Sequence, residues 1–206
     1  MTIEELKKEV SASLGPARLA HTLSVEAETA RFGELFDCGA ARTEKLRAAA
    51  LLHDITKEID AEGQFALCRQ YGIQCTPADR MTPQILHAVT GAAVAADRFG
   101  EIADEEVCRM IASHTTGRAG MTTEEILLFL ADYIEPTRRY DDCRVLRARF
   151  YDALPGTAEG RLRRLYEVTV AVLDNTVLHL IRAGSAISPR AMEARNDLLL
   201  RLSEMK

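Results

Sequence analysis

Apolar residues recur at helical spacing along nearly the whole chain, and no segment alternates apolar and polar residues with β-branched enrichment. The pattern therefore predicts helices and no strands. Thr2 with Glu5 makes a capping-box pair opening a first helix, and Gly15-Pro16 separates it from a second over about 16–36. Gly39 precedes a third over about 40–53, and a fourth over about 60–70 ends near Gly72. Pro77 and Pro83 punctuate a loop. Helices over about 84–99 and 104–114 follow, split by Gly100, and Gly117 and Gly120 make HTTGRAG a loop. Thr122 with Glu125 opens another helix, and Pro136 stops or kinks it. A segment over about 137–152 ends before Pro155-Gly156. The helix over about 158–183 is apolar on most faces from Leu162 to Ile181, which predicts a central, buried element closed by Gly184. Ser188-Pro189 supplies an N-cap and a first position for the last helix. The expectation is an all-α fold: one domain over 1–206, built as a helical bundle of about ten helices.

Composition narrows the setting. The 206 residues are 47% hydrophobic and 28% charged, enough apolar material for a real core. No apolar stretch approaches the ~20 residues of a membrane span, and MTIEELKKEV lacks the apolar core of a signal peptide. A cytoplasmic protein is expected. Five cysteines (Cys38, Cys68, Cys75, Cys108 and Cys143) without a C-x-x-C argue against both a disulfide framework and a zinc knuckle. A net charge of −5 with no basic run leaves no footprint for long nucleic acid. A small anionic substrate stays open, because a local cluster of cations can bind phosphate on an acidic protein.

The chemistry concentrates in a few residues. LRAAALLHD runs an apolar helix straight into His53-Asp54. His21, His87 and His114 also sit in apolar settings; for His21, the positions Leu19, Leu23, Ala27 and Ala30 mark the expected core-facing stripe. Asp132 lies in LLFLADYIE, where an unpaired carboxylate would be costly, so a cation must answer it. Each residue alone has a plainer reading. His53-Asp54 makes a local pair, Asp132 pairs with Arg138 or Arg139, Lys57 pairs with Asp54 on an exposed face, and His179 is a core histidine. Together, four buried-type histidines and two carboxylates suit a metal, and imidazole with carboxylate suits iron, manganese, zinc or magnesium. Spare histidines leave room for a second ion. Lys57, Arg18 and Arg138 lie beside these positions, which suits a phosphate ester.

The H…HD…D pattern resembles the HD-domain superfamily of metal-dependent phosphohydrolases. The strings ARLAHTLSV, AALLHDITK, ILHAVTGA, IASHTTGRAGMTTEEILLFLADYIEPTR and ISPRAMEARN resemble its YqeK-type symmetrical diadenosine tetraphosphate hydrolases, in order over nearly the whole chain. That resemblance implies an HD-type helical fold holding iron, with the metal-site core over about 16–140 and C-terminal helices over about 158–203 completing it. It implies hydrolysis of diadenosine tetraphosphate to two ADP. His21, His53, Asp54 and Asp132 would hold the metal, with Asp54 and Asp132 also facing substrate. Arg18, Lys57, His87, His114, Thr115 and Arg138 would contact phosphates. Asp54, Lys57, His87 and His114 would carry the chemistry; if protonated beside the phosphates, His87 and His114 would stabilise the charge that builds in the transition state. Leu178, His179, Leu180, Ile181, Arg182 and Ala183 would line a nucleoside pocket. Ser24 stands where such sequences often show glycine. The alternatives are another HD phosphohydrolase, acting on nucleoside monophosphates, deoxynucleotides or cyclic nucleotides, and a non-catalytic nucleotide-binding module. The several apolar helices leave room for a homodimer, with nothing to specify its interface.

Overall fold

The Thr2 hydroxyl accepts the Glu5 N–H at 3.2 Å, and the Glu5 carboxylate accepts the Thr2 N–H at 2.8 Å. Helix α1 (Ile3–Ser13) thus opens on the expected capping box. The structure, a computed structural model, describes residues 1–205. Pro16 begins α2 (Pro16–Leu35), and Gly39, at φ 76°, precedes α3 (Ala40–Leu52). After α4 (Ala61–Gln70) the expected loop contains a short helix, α5 (Pro77–Met81), opened by a reciprocal Thr76–Asp79 capping box. Proline breaks helix interiors but suits the first helical position, where the missing N–H has no partner to lose. A 3-10 turn, Pro83–Ile85, leads into α6 (His87–Phe99), which begins later than the spacing predicts.

Next come α7 (Glu105–Ser113), α8 (Thr123–Ile134) and α9 (Asp141–Tyr151). The last two are α10 (Ala158–Arg182) and α11 (Pro189–Glu204), making eleven α-helices and no strand among the described residues. The Thr122–Glu125 box caps α8 as expected, and Glu135 is extended before Pro136, ending that helix. Ser188 occupies the N-cap of α11, but its side chain makes no capping hydrogen bond. All five cysteines are free thiols. Among the described residues, no helix is long and apolar enough to cross a membrane.

Helices α3 and α8 form the centre. Leu46, Ala48 through Leu52 and Ile126 through Ala131 are all buried, and a helix apolar on every side has to be enclosed. Helices α1, α2 and α7 pack on α3, while α2, α7 and α10 pack on α8. The two central helices end beside each other: α3 delivers His53-Asp54, and Asp132 lies in the last turn of α8.

Two expectations need correction. The buried face of α2 runs through His21, Val25, Glu28 and Phe32, while Ala27 is exposed and Leu19, Leu23 and Ala30 are half-buried. Buried charges turn the helix: Glu26 takes Lys7 at 3.1 Å and Arg47 at 2.6 Å, and Tyr151 donates to Glu28. Helix α10 is buried only as far as Leu173. Leu178 is 46% and Ile181 58% exposed, and His179 is exposed rather than in the core. Periodicity counts apolar residues; it does not say whether a neighbour reaches them.

Candidate metal centre and phosphate site

Four buried imidazoles turn the same edge inward. His53, His87 and His114 each place Nδ1 against the carbonyl three residues back, of Ala50, Gln84 and Ile111. A carbonyl oxygen only accepts, so each Nδ1 carries the proton and each Nε2 offers a lone pair to the centre. His21 Nδ1 instead meets Glu135 Oε1 at 3.0 Å, again leaving Nε2 inward. His21 Nε2 and His53 Nε2 stand 3.3 Å apart, and His87 Nε2 and His114 Nε2 stand 3.1 Å apart.

Asp54 lies between the two pairs. Its Oδ2 is 3.2 Å from His53 Nε2 and 3.7 Å from His21 Nε2, while Oδ1 is 3.3 Å from His87 Nε2 and 3.7 Å from His114 Nε2. Asp132 Oδ1 closes the first group, at 2.9 Å from His21 Nε2 and 3.8 Å from His53 Nε2. Three overlapping triads bring ligand atoms within 4.8 Å of one another: His21/His53/Asp54, His53/His114/Asp132 and Asp54/His87/His114.

The electrostatics call for positive charge here. Burial alone would raise the Asp54 carboxyl, but the imidazoles of His53, His114 and His87 packed around it hold it well below the usual carboxylate range. Asp132 is held low against its burial by Arg138 and His21. Burial alone would lower His21, yet its hydrogen bonds to Asp132 and Glu135 raise it to about 9. The carboxylates thus draw a proton onto the ring nitrogen where a metal cation would satisfy them equally. Imidazole nitrogens and carboxylate oxygens without a thiolate fit a divalent metal of the iron, manganese, zinc or magnesium kind.

Three cations rim the same centre. Arg18 pairs with Asp54, Arg138 Nη2 reaches Asp132 Oδ1 at 2.7 Å, and Lys57 Nζ lies 3.2 Å from His87 Nε2. Lys57 is half-buried, not on an open face. All three line a cavity of about 840 Å3, together with His21, Asp54, His87, His114, Thr115 and Asp132.

The HD domain family matches residues 18–137, a span holding every residue named at this centre except Arg138. The symmetrical bis(5'-nucleosyl)-tetraphosphatase of Staphylococcus aureus (strain NCTC 8325 / PS 47) is 32% identical over 199 residues, covering 95% of this chain and 94% of that protein. The chain belongs to the HD-domain symmetrical bis(5'-nucleosyl)-tetraphosphatase family. The enzyme of the same name from Bacillus subtilis (strain 168) is 28% identical over 97% of this chain and 98% of its own length. A crystal structure from Clostridium acetobutylicum, described as a "predicted HD superfamily hydrolase involved in NAD metabolism", superposes with a TM-score of 0.83 at 29% identity, covering 98% of both chains.

Within this family fold, the expected metal ligands and phosphate contacts all converge. Two expectations change. Burial, with His114 and Lys57 beside it, pushes His87 down to about 4, so the ring is neutral near pH 7. His87 and His114 also face each other through Nε2, and that 3.1 Å gap accommodates one proton at most. The cavity reaches α10 at Val172 and Thr176, and the stretch Leu178–Ala183 lies beyond them at the exposed end of that helix.

Sequence reasoning missed Glu135, which is fully buried against His21. Burial alone would raise its carboxyl, but hydrogen bonds from His21, Ser24 and Thr137 hold it down to about 2. Its signal was available: a carboxylate directly following the apolar run that carries Asp132.

Proposed function

We propose that this protein hydrolyses diadenosine tetraphosphate symmetrically to two ADP, with iron as its resident metal. The observation that carries the reading is the facing arrangement of the Asp54-centred imidazole cluster and the cations Arg18, Lys57 and Arg138 in one cavity, in a chain of this family. His21, His53, Asp54 and Asp132 hold the metal. Bound there, the metal supplies Lewis-acid polarisation of a phosphoryl oxygen and a water nucleophile at neutral pH.

The chain's own groups do the rest. Arg18, Lys57 and Arg138 neutralise the non-bridging oxygens of the phosphate chain, and they do so most strongly as charge builds in the transition state. Thr115 Oγ1, 3.0 Å from both His87 Nε2 and His114 Nε2, is placed to donate to a phosphate oxygen. Asp54, kept charged by the imidazoles around it, accepts a hydrogen bond from the attacking water and steers its proton.

For the nucleoside, helix geometry refines the α10 expectation. Residues four and seven beyond Thr176 share its face, so Leu180 and Ala183, with His179, continue the cavity wall outward. Leu178, Ile181 and Arg182 point away from that face.

The reading is tested by incubating the protein with diadenosine tetraphosphate and iron or manganese, then separating products. ADP alone is expected. ATP with AMP defeats the symmetric assignment, and faster turnover of nucleoside monophosphates, deoxynucleotides or cyclic nucleotides moves the chain to another HD activity.

A further inference from the structure

We propose that Glu135 is the positioning residue of His21, holding the ring so that Nε2 meets the metal. The proposal rests on the metal-site reading above. Three of the four imidazoles need no side chain to aim them. His53 and His114 cap the C-terminal ends of α3 and α7, and His87 opens α6 behind a 3-10 turn. At such ends carbonyls are not held in a full helical ladder, and each ring takes the one three residues back, the Ile111 carbonyl also accepting the His114 N–H at 3.4 Å. His21 is different. It lies inside α2, where the carbonyls below it are spent on the helix ladder. Its Nδ1 proton therefore needs an acceptor from another element, and Glu135 Oε1 at 3.0 Å is that acceptor.

Glu135 is built for this task. It is 0% exposed, and among the described residues its only ion-pair partner is His21. A buried carboxylate with no lysine or arginine in ion-pair contact is expensive unless its partner repays the loss. Its rotamer is held from behind: Oε1 also accepts the Thr137 hydroxyl at 2.6 Å, and Oε2 accepts the Thr137 N–H. Arg147 donates to the carbonyls of Ile134, Glu135 and Arg138, clamping the turn that presents the carboxylate. An outer carboxylate on a ligating histidine fixes its orientation and raises its basicity.

The test titrates cobalt(II) alone into the metal-free full chain, as wild type, Glu135→Ala and Glu135→Gln, following visible absorption, with thermal melts of each metal-free protein. Glu135→Ala is expected to fold and to bind cobalt about 10–100-fold more weakly, with an altered absorption band. Glu135→Gln keeps an acceptor for Nδ1–H and is expected to recover most of that loss. The proposal is overturned by wild-type affinity in Glu135→Ala, by a Gln variant as weak as the Ala variant, or by failure of Glu135→Ala to fold. Failure of the wild type to bind cobalt is a separate result: it removes the metal reading itself.

Discussion

His21 Nε2 lies 2.9 Å from Asp132 Oδ1, which joins the buried polar face of α2 to the last turn of the most apolar helix in the molecule. Arg138 reaches the same carboxylate oxygen at 2.7 Å, so Asp132 is shared between a ligand position and a cation at the cavity rim. The metal half and the phosphate half of the site therefore meet on one atom, and perturbing either half is read at the other.

Asp54 is the residue whose loss should cost most, because its two oxygens face two different histidine pairs. Asp54→Ala is expected to lose metal and activity together. Activity should fall by more than about a hundredfold, since changes outside the coordination sphere already cost 10–100-fold. Metal analysis and product assay on one sample check this. Full metal occupancy in the inactive variant removes Asp54 from the ligands.

Lys57 stands beside His87 without touching His21, His53 or Asp132 within ion-pair or hydrogen-bond distance. Lys57→Met should lower kcat/KM by about a hundredfold, the scale of one preorganised charge-stabilising group, with metal content unchanged. Steady-state kinetics beside metal analysis separates the two quantities; a variant that loses metal places Lys57 in the structural support of the centre instead.

The outer end of α10 offers a face-specific comparison. Leu180 continues the face of Thr176, and Ile181 is turned about 100° from Leu180. Leu180→Asp should raise KM for the dinucleotide while leaving kcat within about twofold, on the rule that lost ground-state binding appears in KM. Ile181→Asp should leave both constants unchanged. Equal effects at the two positions defeat the assignment of that face to the nucleoside.

Glu28 supplies a pH signature away from the site. Burial pushes its carboxyl above the ordinary 4.5, while the Tyr151 hydroxyl and the Arg31 and Arg147 charges pull it part of the way back. A carboxyl with a raised folded pKa adds stability that is present below the unfolded value and lost as pH rises through the folded one. Glu28→Gln cannot lose that contribution. Its melting temperature relative to wild type should therefore rise between about pH 4 and pH 7. Parallel melting curves across that range argue against a raised Glu28.

Much of the site was readable because its residues announce themselves locally. His53-Asp54 ends an apolar helix, Asp132 interrupts LLFLA, and neither belongs there without a partner. The α2 stripe was misread for the same reason turned around. Glu26, Glu28, Thr22 and Thr29 are buried, so counting apolar residues rotated the helix toward Leu23 and Ala27. Glu135 was passed over because a carboxylate before proline reads as a helix stop, and its partner is far away in the chain.

Most of the helices, the Thr2–Glu5 and Thr122–Glu125 caps and the identity of the ligand-type residues follow from the chain alone, because capping boxes, helical period and the cost of an unpaired buried charge act over a few neighbouring residues. The division of Asp54 between two histidine pairs, the neutrality of His87, the hold of Glu135 on His21 and the open end of α10 do not. Each depends on which side chain from a distant helix arrives within about 4 Å, where Coulomb and hydrogen-bond energies become large, and packing α2, α3, α6, α7 and α8 together is what sets those distances.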